Sequence, residues 1–166
     1  MKSFLLSLIV TIITLTTAAQ KNATTSFEQW ISLKQVGGVQ VSPDGKQVAY
    51  TITSTNWSAN NYDTEIWLSR DGGKPFQLTQ TQNGSSNAAQ FSPDSKWISF
   101  LADRGNKTQL YLIAIEGGEA FAITNEEDGI GGYDWNPDAT RIAFTKTESD
   151  SKKEKNTKER YGAFGI

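Results

Sequence analysis

The sequence predicts an all-β protein built from repeated four-stranded antiparallel sheets. Three observations support this prediction. A motif of alternating apolar residues around a turn occurs three times, and a second motif with a Gly-Gly pair follows the first two copies. The composition includes 14 glycines and 11% aromatic residues, which is typical of a turn-rich β fold with a packed core.

The first motif centres on residues 42–45, 92–95 and 136–139. In its first copy, Ser-Pro-Asp-Gly, the proline presets its backbone angle, the aspartate tolerates the next turn position, and Gly45 can adopt a positive φ. Apolar residues alternate on both sides of each copy. The motif therefore predicts a hairpin of two antiparallel strands with one buried face.

The second motif carries the glycine pairs at residues 72–73 and 117–118, which are 45 residues apart. Each pair joins two further apolar segments, so it predicts a second hairpin in the same repeat. Four short antiparallel strands every 40 to 50 residues are typical of a β-propeller blade.

The repeats divide the chain into a short series of segments. Propellers close with about four to eight blades, whereas this length holds about two and a half, so we expect the N-terminal part of a longer protein. A partial propeller completed by copies of itself is the alternative. The segments are a leader (1–19), a short helical region (20–35), blade 1 (36–79), blade 2 (80–124) and an incomplete blade 3 (125–166).

Blade 3 contains a segment without any apolar residue, at 148–160. Its mixed charges predict a solvated loop, with a binding surface as the alternative. Residues 161–166 are apolar enough to begin the next strand.

The leader has the three parts of a secretory signal peptide: Lys2, an apolar stretch at 4–15, and small residues at 17–19 before Gln20. The stretch of about 12 residues is shorter than the roughly 20 that span a bilayer. We therefore expect cleavage, export to the periplasm or the medium, and no membrane association afterwards. An uncleaved anchor is the alternative.

A short amphipathic helix is predicted between the leader and blade 1. Phe27, Trp30, Ile31 and Lys34 have helical spacing, and Ser26 with a glutamine three residues later forms a candidate capping box. We expect this helix to cover the propeller, with its aromatic residues in the core.

Composition excludes several functions. The net charge is −2, so the chain lacks the basic surface that nucleic acid requires. It contains no histidine and no cysteine, which excludes an imidazole base, a thiolate nucleophile, a disulfide and a His/Cys metal site. We assign no catalytic, metal-binding or cofactor-binding residue, and we expect no cofactor.

Several side chains are nevertheless candidates for a role in binding. The recurring Asp44, Asp94 and Asp138 are interpreted as turn-stabilising residues, rather than as catalytic or calcium-binding carboxylates. Three tryptophans are interpreted as blade packing. They are Trp67, Trp97 and Trp135.

Two charged clusters leave alternatives open. Glu126, Glu127 and Asp128 form either an exposed loop or a site for a cation or a substrate amino terminus. Asp103 and Arg104 form either an ion pair in a turn or a site that recognises a peptide terminus.

Four segments of the sequence resemble segments of a known protein family. They are residues 33–36 leading to Ser-Pro-Asp-Gly, 100–112, 129–138 and 159–164. Together with the leader and helix, they resemble the N-terminal propeller of the prolyl oligopeptidase family of serine peptidases. The acylaminoacyl-peptidase and dipeptidyl-aminopeptidase branches are the most similar.

The resemblance implies a C-terminal α/β-hydrolase domain in the parent chain, with a serine nucleophile, a histidine base and an aspartate. This chain has no Gly-x-Ser-x-Gly motif and no histidine, so none of those residues can be placed on it. The role implied here is gating of the peptide substrate.

The alternative is a TolB-like periplasmic interaction propeller without catalysis, since the blade motif is shared with that group. In TolB-like proteins a separate α/β domain precedes the propeller. Here only 16 residues, 20–35, separate the leader from blade 1. That spacing favours the peptidase.

Overall fold

A computed structural model describes residues 24–82, 84–105 and 107–146. The predicted leader, the charged segment 148–160 and the late segment 161–166 lie outside the described residues. The chain divides into two units, Met1–Ile31 and Ser32–Ile166. Among the described residues, no helix has the length and apolar character needed to cross a membrane.

The first unit contains helix α1 (Phe27–Ile31). The predicted capping box is present: the Gln29 N–H donates to Ser26 Oγ at 3.2 Å, and the Ser26 N–H donates to Gln29 Oε1 at 3.0 Å. The helix is shorter than the predicted pattern, and none of its residues is buried. Phe27 and Trp30 are 68% and 66% exposed, so the prediction that they are core residues is wrong.

The second unit contains antiparallel sheets in which the spatial order of the strands follows the sequence order. This confirms the predicted all-β fold of four-stranded blades. Blade 1 comprises β1 (Gln35–Val41), β2 (Gln47–Asn56), β3 (Asn61–Arg70) and β4 (Phe76–Gln77). Blade 2 comprises β5 (Ser86–Phe91), β6 (Trp97–Ala102), β7 (Gln109–Ala114) and β8 (Phe121–Ala122). The third hairpin comprises β9 (Tyr133–Trp135) and β10 (Ile142–Phe144).

Burial along the second strand of each blade shows how the sheets stack. On β2, buried and half-buried residues alternate over the first five residues, because one face is covered more completely than the other there, and the last five are half-buried. On β6, five consecutive residues after Trp97 are buried. Ile98, Phe100 and Ala102 pack against blade 1, while Leu101 packs with Tyr133 of the third hairpin. Blade 2 is therefore enclosed on both faces.

The first strand of each blade contains a β-bulge that the sequence did not predict. The register shifts between Gly37 and Gln40 in β1, and between Asn87 and Gln90 in β5. At the second bulge Ala88 has a φ of +51°, and its carbonyl accepts a hydrogen bond of 2.6 Å from the Tyr133 hydroxyl. The irregularity in blade 2 thus contacts the third hairpin.

Polar contacts join blades 1 and 2 at the end that carries the Asp turns. The Asp44 N–H donates to Ser95 Oγ at 3.2 Å, and Ser95 is buried. The Arg70 guanidinium donates to the carbonyl of Ile115 and lies 3.7 Å from the carboxylate of Glu116. These contacts supplement the apolar burial between the two sheets.

The three turns share a positive φ at their fourth residue. Gly45 has a φ of +74°, which confirms the predicted conformation of that turn. Ser95 and Ala139 occupy the equivalent positions with φ values of +57° and +58°. A residue with a Cβ loses about 1–2 kcal/mol in this region relative to the right-handed one.

We expect Ser95→Ala to be less stable than Ser95→Gly by about 1 kcal/mol, because both lose the hydrogen bond from Asp44 but only glycine tolerates the positive φ. Urea unfolding measures the difference. Ala139→Gly is the matched control, since Ala139 has the same φ and lacks a hydroxyl. The Ala139→Gly variant should be more stable than the unsubstituted chain. Equal stability of the two Ser95 variants would contradict the strain argument.

Candidate functional site

The blades of the second unit have two distinct ends. Val41 pairs with Val48 and Gln47 pairs with Arg70, so the Asp turns and the β3–β4 turns lie at one end, here called the turn end. The β2–β3 and β6–β7 loops and the links between blades lie at the opposite end, here called the linker end. Asp44 and its equivalents are therefore separated from Arg104 and Glu126 by the length of the strands.

At the turn end, each recurring aspartate closes its own turn. Asp44 Oδ1 accepts from Ser42 Oγ at 2.6 Å and from the Lys46 N–H at 3.1 Å. Asp94 accepts in the same way from Ser92 and Lys96, and Asp138 accepts twice from Thr140. These hydrogen bonds confirm the structural interpretation of the repeat.

Hydrogen bonding lowers the pKa of all three aspartates. The hydroxyl of Ser42, Ser92 or Thr140 is the main cause, and a backbone N–H contributes in each turn. Among the described residues, no group of three acidic side chains could hold a metal ion. The hydrogen bonds engage each of the three carboxylates in its own turn.

At the linker end, the first residue of the acidic triplet is held in place. Lys146 Nζ donates to Glu126 Oε2 at 2.7 Å, and this hydrogen bond raises the pKa of Lys146. The Gln109 side chain donates to the Glu126 carbonyl and accepts from its N–H. Glu126 thus belongs to the framework of the loop, while Glu127 and Asp128 are exposed.

The predicted ion pair between Asp103 and Arg104 is wrong. Asp103 Oδ1 instead accepts from the Gly105 N–H at 3.2 Å. The guanidinium carbon of Arg104 lies 4.6 Å from the ring centroid of Tyr111 and 5.8 Å from that of Phe100. The two stacked rings offer a face that attracts the cation, whereas Asp103 is occupied by its turn.

Arg104 lines a cleft of about 370 Å³ at the linker end. The sequence did not single out the opposite wall, which is the polar link between blades 1 and 2. That link is a run of amide and hydroxyl side chains. This polar run is the feature of the sequence from which the cleft could have been predicted. The remaining lining residues are Gln80, Thr81, Gln82 and Gly105.

The three tryptophans lie on strands, as predicted. Trp97 meets Phe121 edge to face with ring centroids 6.0 Å apart, and Trp135 Nε1 donates to Ser99 Oγ at 2.7 Å. Trp67 is half-buried in β3. Trp97 and Trp135 also line an apolar groove of about 330 Å³ between blade 2 and the third hairpin.

The described residues of the second unit thus define a β-propeller segment: two stacked four-stranded blades and a third hairpin. No protein-family model matches the chain. Curated relatives do match, and two of them are described here. The uncharacterized peptidase YuxL of Bacillus subtilis is 32% identical over 128 residues, covering 68% of this chain. The dipeptidyl-peptidase 5 of Porphyromonas gingivalis is 29% identical over 135 residues, covering 81%. The chain spans about 19% of the length of each.

Solved structures show the same fold. Acylaminoacyl peptidase from Pyrococcus horikoshii superposes with a TM-score of 0.56 at 21% identity, over 68% of this chain and 17% of that protein. The β-propeller domain of the Trilobed protease from Pyrococcus furiosus superposes with a TM-score of 0.53 at 20% identity. The superposition covers 69% of this chain and 34% of that one. The predicted resemblance to peptidase propellers is confirmed.

We expect the stability of the chain to fall as the pH drops through about 4. The folded-state pKa of Asp94 is below its unfolded value of about 3.9, so its contribution is present above that value and is lost on acidification. Urea unfolding midpoints between pH 6 and pH 3 measure this. Asp94→Asn should lower the midpoint at pH 6 and flatten the pH dependence, and Asp44→Asn should act alike. An unchanged pH dependence in both variants would contradict the role assigned to these carboxylates.

Proposed function

We propose that this chain is the substrate-gating propeller segment of a serine peptidase. Peptide hydrolysis would be carried out by a C-terminal α/β-hydrolase domain of the same parent chain. The observation that carries the proposal is the combination of stacked blades with similarity to peptidases at both the sequence and the fold level.

The stacking geometry supports a ring that filters its substrates. The first strands of blades 1 and 2, β1 and β5, are neighbours in space. In a propeller the first strands of successive blades surround the central channel. Nearly all residues of β1 are exposed, as expected for a strand that faces such a channel.

The composition supports placing the catalytic residues in a second domain. The base of a Ser-His-Asp mechanism would have to come from outside this chain, because the chain contains no histidine. The relatives are about five times longer than the matched segment, which leaves room for further blades and a hydrolase domain. A channel through closed blades would admit short peptides and exclude folded proteins.

We expect weakening of the seam between blades 1 and 2 to relax this size selection. In the full-length protein, Arg70→Ala removes the contacts to Ile115 and Glu116. The ratio of kcat/KM for a long peptide to kcat/KM for a dipeptidyl chromogenic substrate should rise severalfold. Lys74→Ala, at an exposed turn of blade 1, is the control.

Two results would oppose the proposal. An unchanged ratio in an Arg70→Ala protein of reduced stability would argue against gating by the blades. Turnover by the 166-residue chain alone, abolished by a serine-reactive inhibitor, would contradict the assignment of chemistry to another domain.

We further propose that the parent protein is exported. The leader pattern at residues 1–19 supports this. Amino-terminal sequencing of protein recovered outside the cytoplasm should begin at Gln20. Recovery only from the cytoplasm, with the leader intact, would refute export.

A further inference from the structure

We propose that the cleft beside Arg104 is a binding site for a carboxylate group. Among the described residues, four others line it, as given above, and Arg104 is the charged one. The inference rests on the geometry of blades 1 and 2 and does not depend on the proposed peptidase function.

The guanidinium of Arg104 is held in position by an aromatic platform. It lies 4.6 Å from the centroid of Tyr111, which in turn stacks on Phe100 with centroids 5.7 Å apart. Phe100 is fully buried in the core between the two blades. A guanidinium that stacks on a ring by its flat face keeps the N–H groups in its plane available to a ligand. A positioned arginine also loses less entropy on binding than a free one.

Arg104 has no acidic partner within the part of the chain that the structure describes. The ion pairs there use Arg70, Lys96 and Lys146 as their cations. The adjacent carboxylate, Asp103, accepts a hydrogen bond from Gly105 instead. Among the described residues, no ion pair therefore holds the Arg104 guanidinium, and its charge can attract an external anion.

The opposite wall of the cleft can complete the site. The carboxamide groups of Gln80 and Gln82 supply donors and acceptors. Glu65 contacts the backbone of Thr81, but it is buried and its two oxygens accept from Thr81 and from the Thr79 hydroxyl. Its carboxylate is thus engaged inside blade 1.

A carboxylate matches this arrangement better than a neutral group does. Its two oxygens accept a pair of parallel N–H···O bonds from a guanidinium, and such charge-assisted bonds are about twice as strong as neutral ones. The cleft volume of about 370 Å³ accommodates a carboxylate together with a residue of peptide. The ligand would present either a carboxyl terminus or an acidic side chain.

Three probes test the site on the full chain by calorimetry or by NMR titration. N-acetyl-Gly-Gly offers a terminal carboxylate, N-acetyl-aspartic acid amide offers a side-chain carboxylate, and N-acetyl-Gly-Gly amide offers neither. We expect at least one of the two carboxylates to bind at least tenfold more tightly than the neutral amide. The carboxylate probe that binds shows whether the site takes a carboxyl terminus or an acidic side chain. Equal binding of all three probes, or binding of none, would overturn the proposal.

Variants of Arg104 locate the binding. Arg104→Gln should weaken carboxylate binding at least tenfold, and Arg104→Lys should restore part of it, because it keeps the charge without the planar fork. Arg141→Gln, an exposed arginine of the third hairpin, is the matched control and should bind normally. If Arg104→Gln does not fold, Arg104→Lys and Tyr111→Leu test the proposal instead. Tyr111→Leu removes the aromatic platform and should weaken carboxylate binding severalfold. Full affinity in whichever of these variants fold would overturn the proposal.

Discussion

Burial of β6 on both faces is the constraint on which the rest of the second unit depends. Ile98 and Phe100 are fully buried against blade 1, while Leu101 packs with the third hairpin. Burying a large apolar side chain stabilises a protein by about 1.5–3 kcal/mol, so a few such residues outweigh the exposed ion pairs. Because both faces of this strand are apolar and buried, a sheet on each side stabilises blade 2. The stacked order of the sheets provides this arrangement.

The two ends of the blades differ in their connections and in the contacts of their side chains. At the turn end, an aspartate accepts hydrogen bonds within each Asp turn, and the Asp44 N–H donates to Ser95 of the neighbouring blade. The aspartate side chains there are engaged within their own turns. At the linker end, the connections are longer and less regular, and the Arg104 guanidinium remains available above a core aromatic residue. The carboxylate site that we propose therefore lies at the end where the repeat is least strict.

The sequence predicted the scaffold better than the candidate site. The Asp turns could be predicted because their chemistry is local: each carboxylate contacts residues two positions away. Arg104 could not be placed in the same way. Its contact with Tyr111 depends on the pairing of β6 with β7, and its cleft depends on the link from blade 1. The ion pair expected with Asp103 used only sequence proximity, which ignores the competing backbone donor of Gly105.

The sequence by itself determined the repeat, the two hairpins of each blade and the positive φ at Gly45, because turn chemistry and period-two patterning act over a few residues. It also determined that this chain has no histidine for catalysis. Only the tertiary structure decided which face of each strand is covered, where the bulge of β5 meets Tyr133, and which loops form a cleft. Those features arise from contacts between residues roughly 20 to 45 positions apart, and local pattern does not encode such distances.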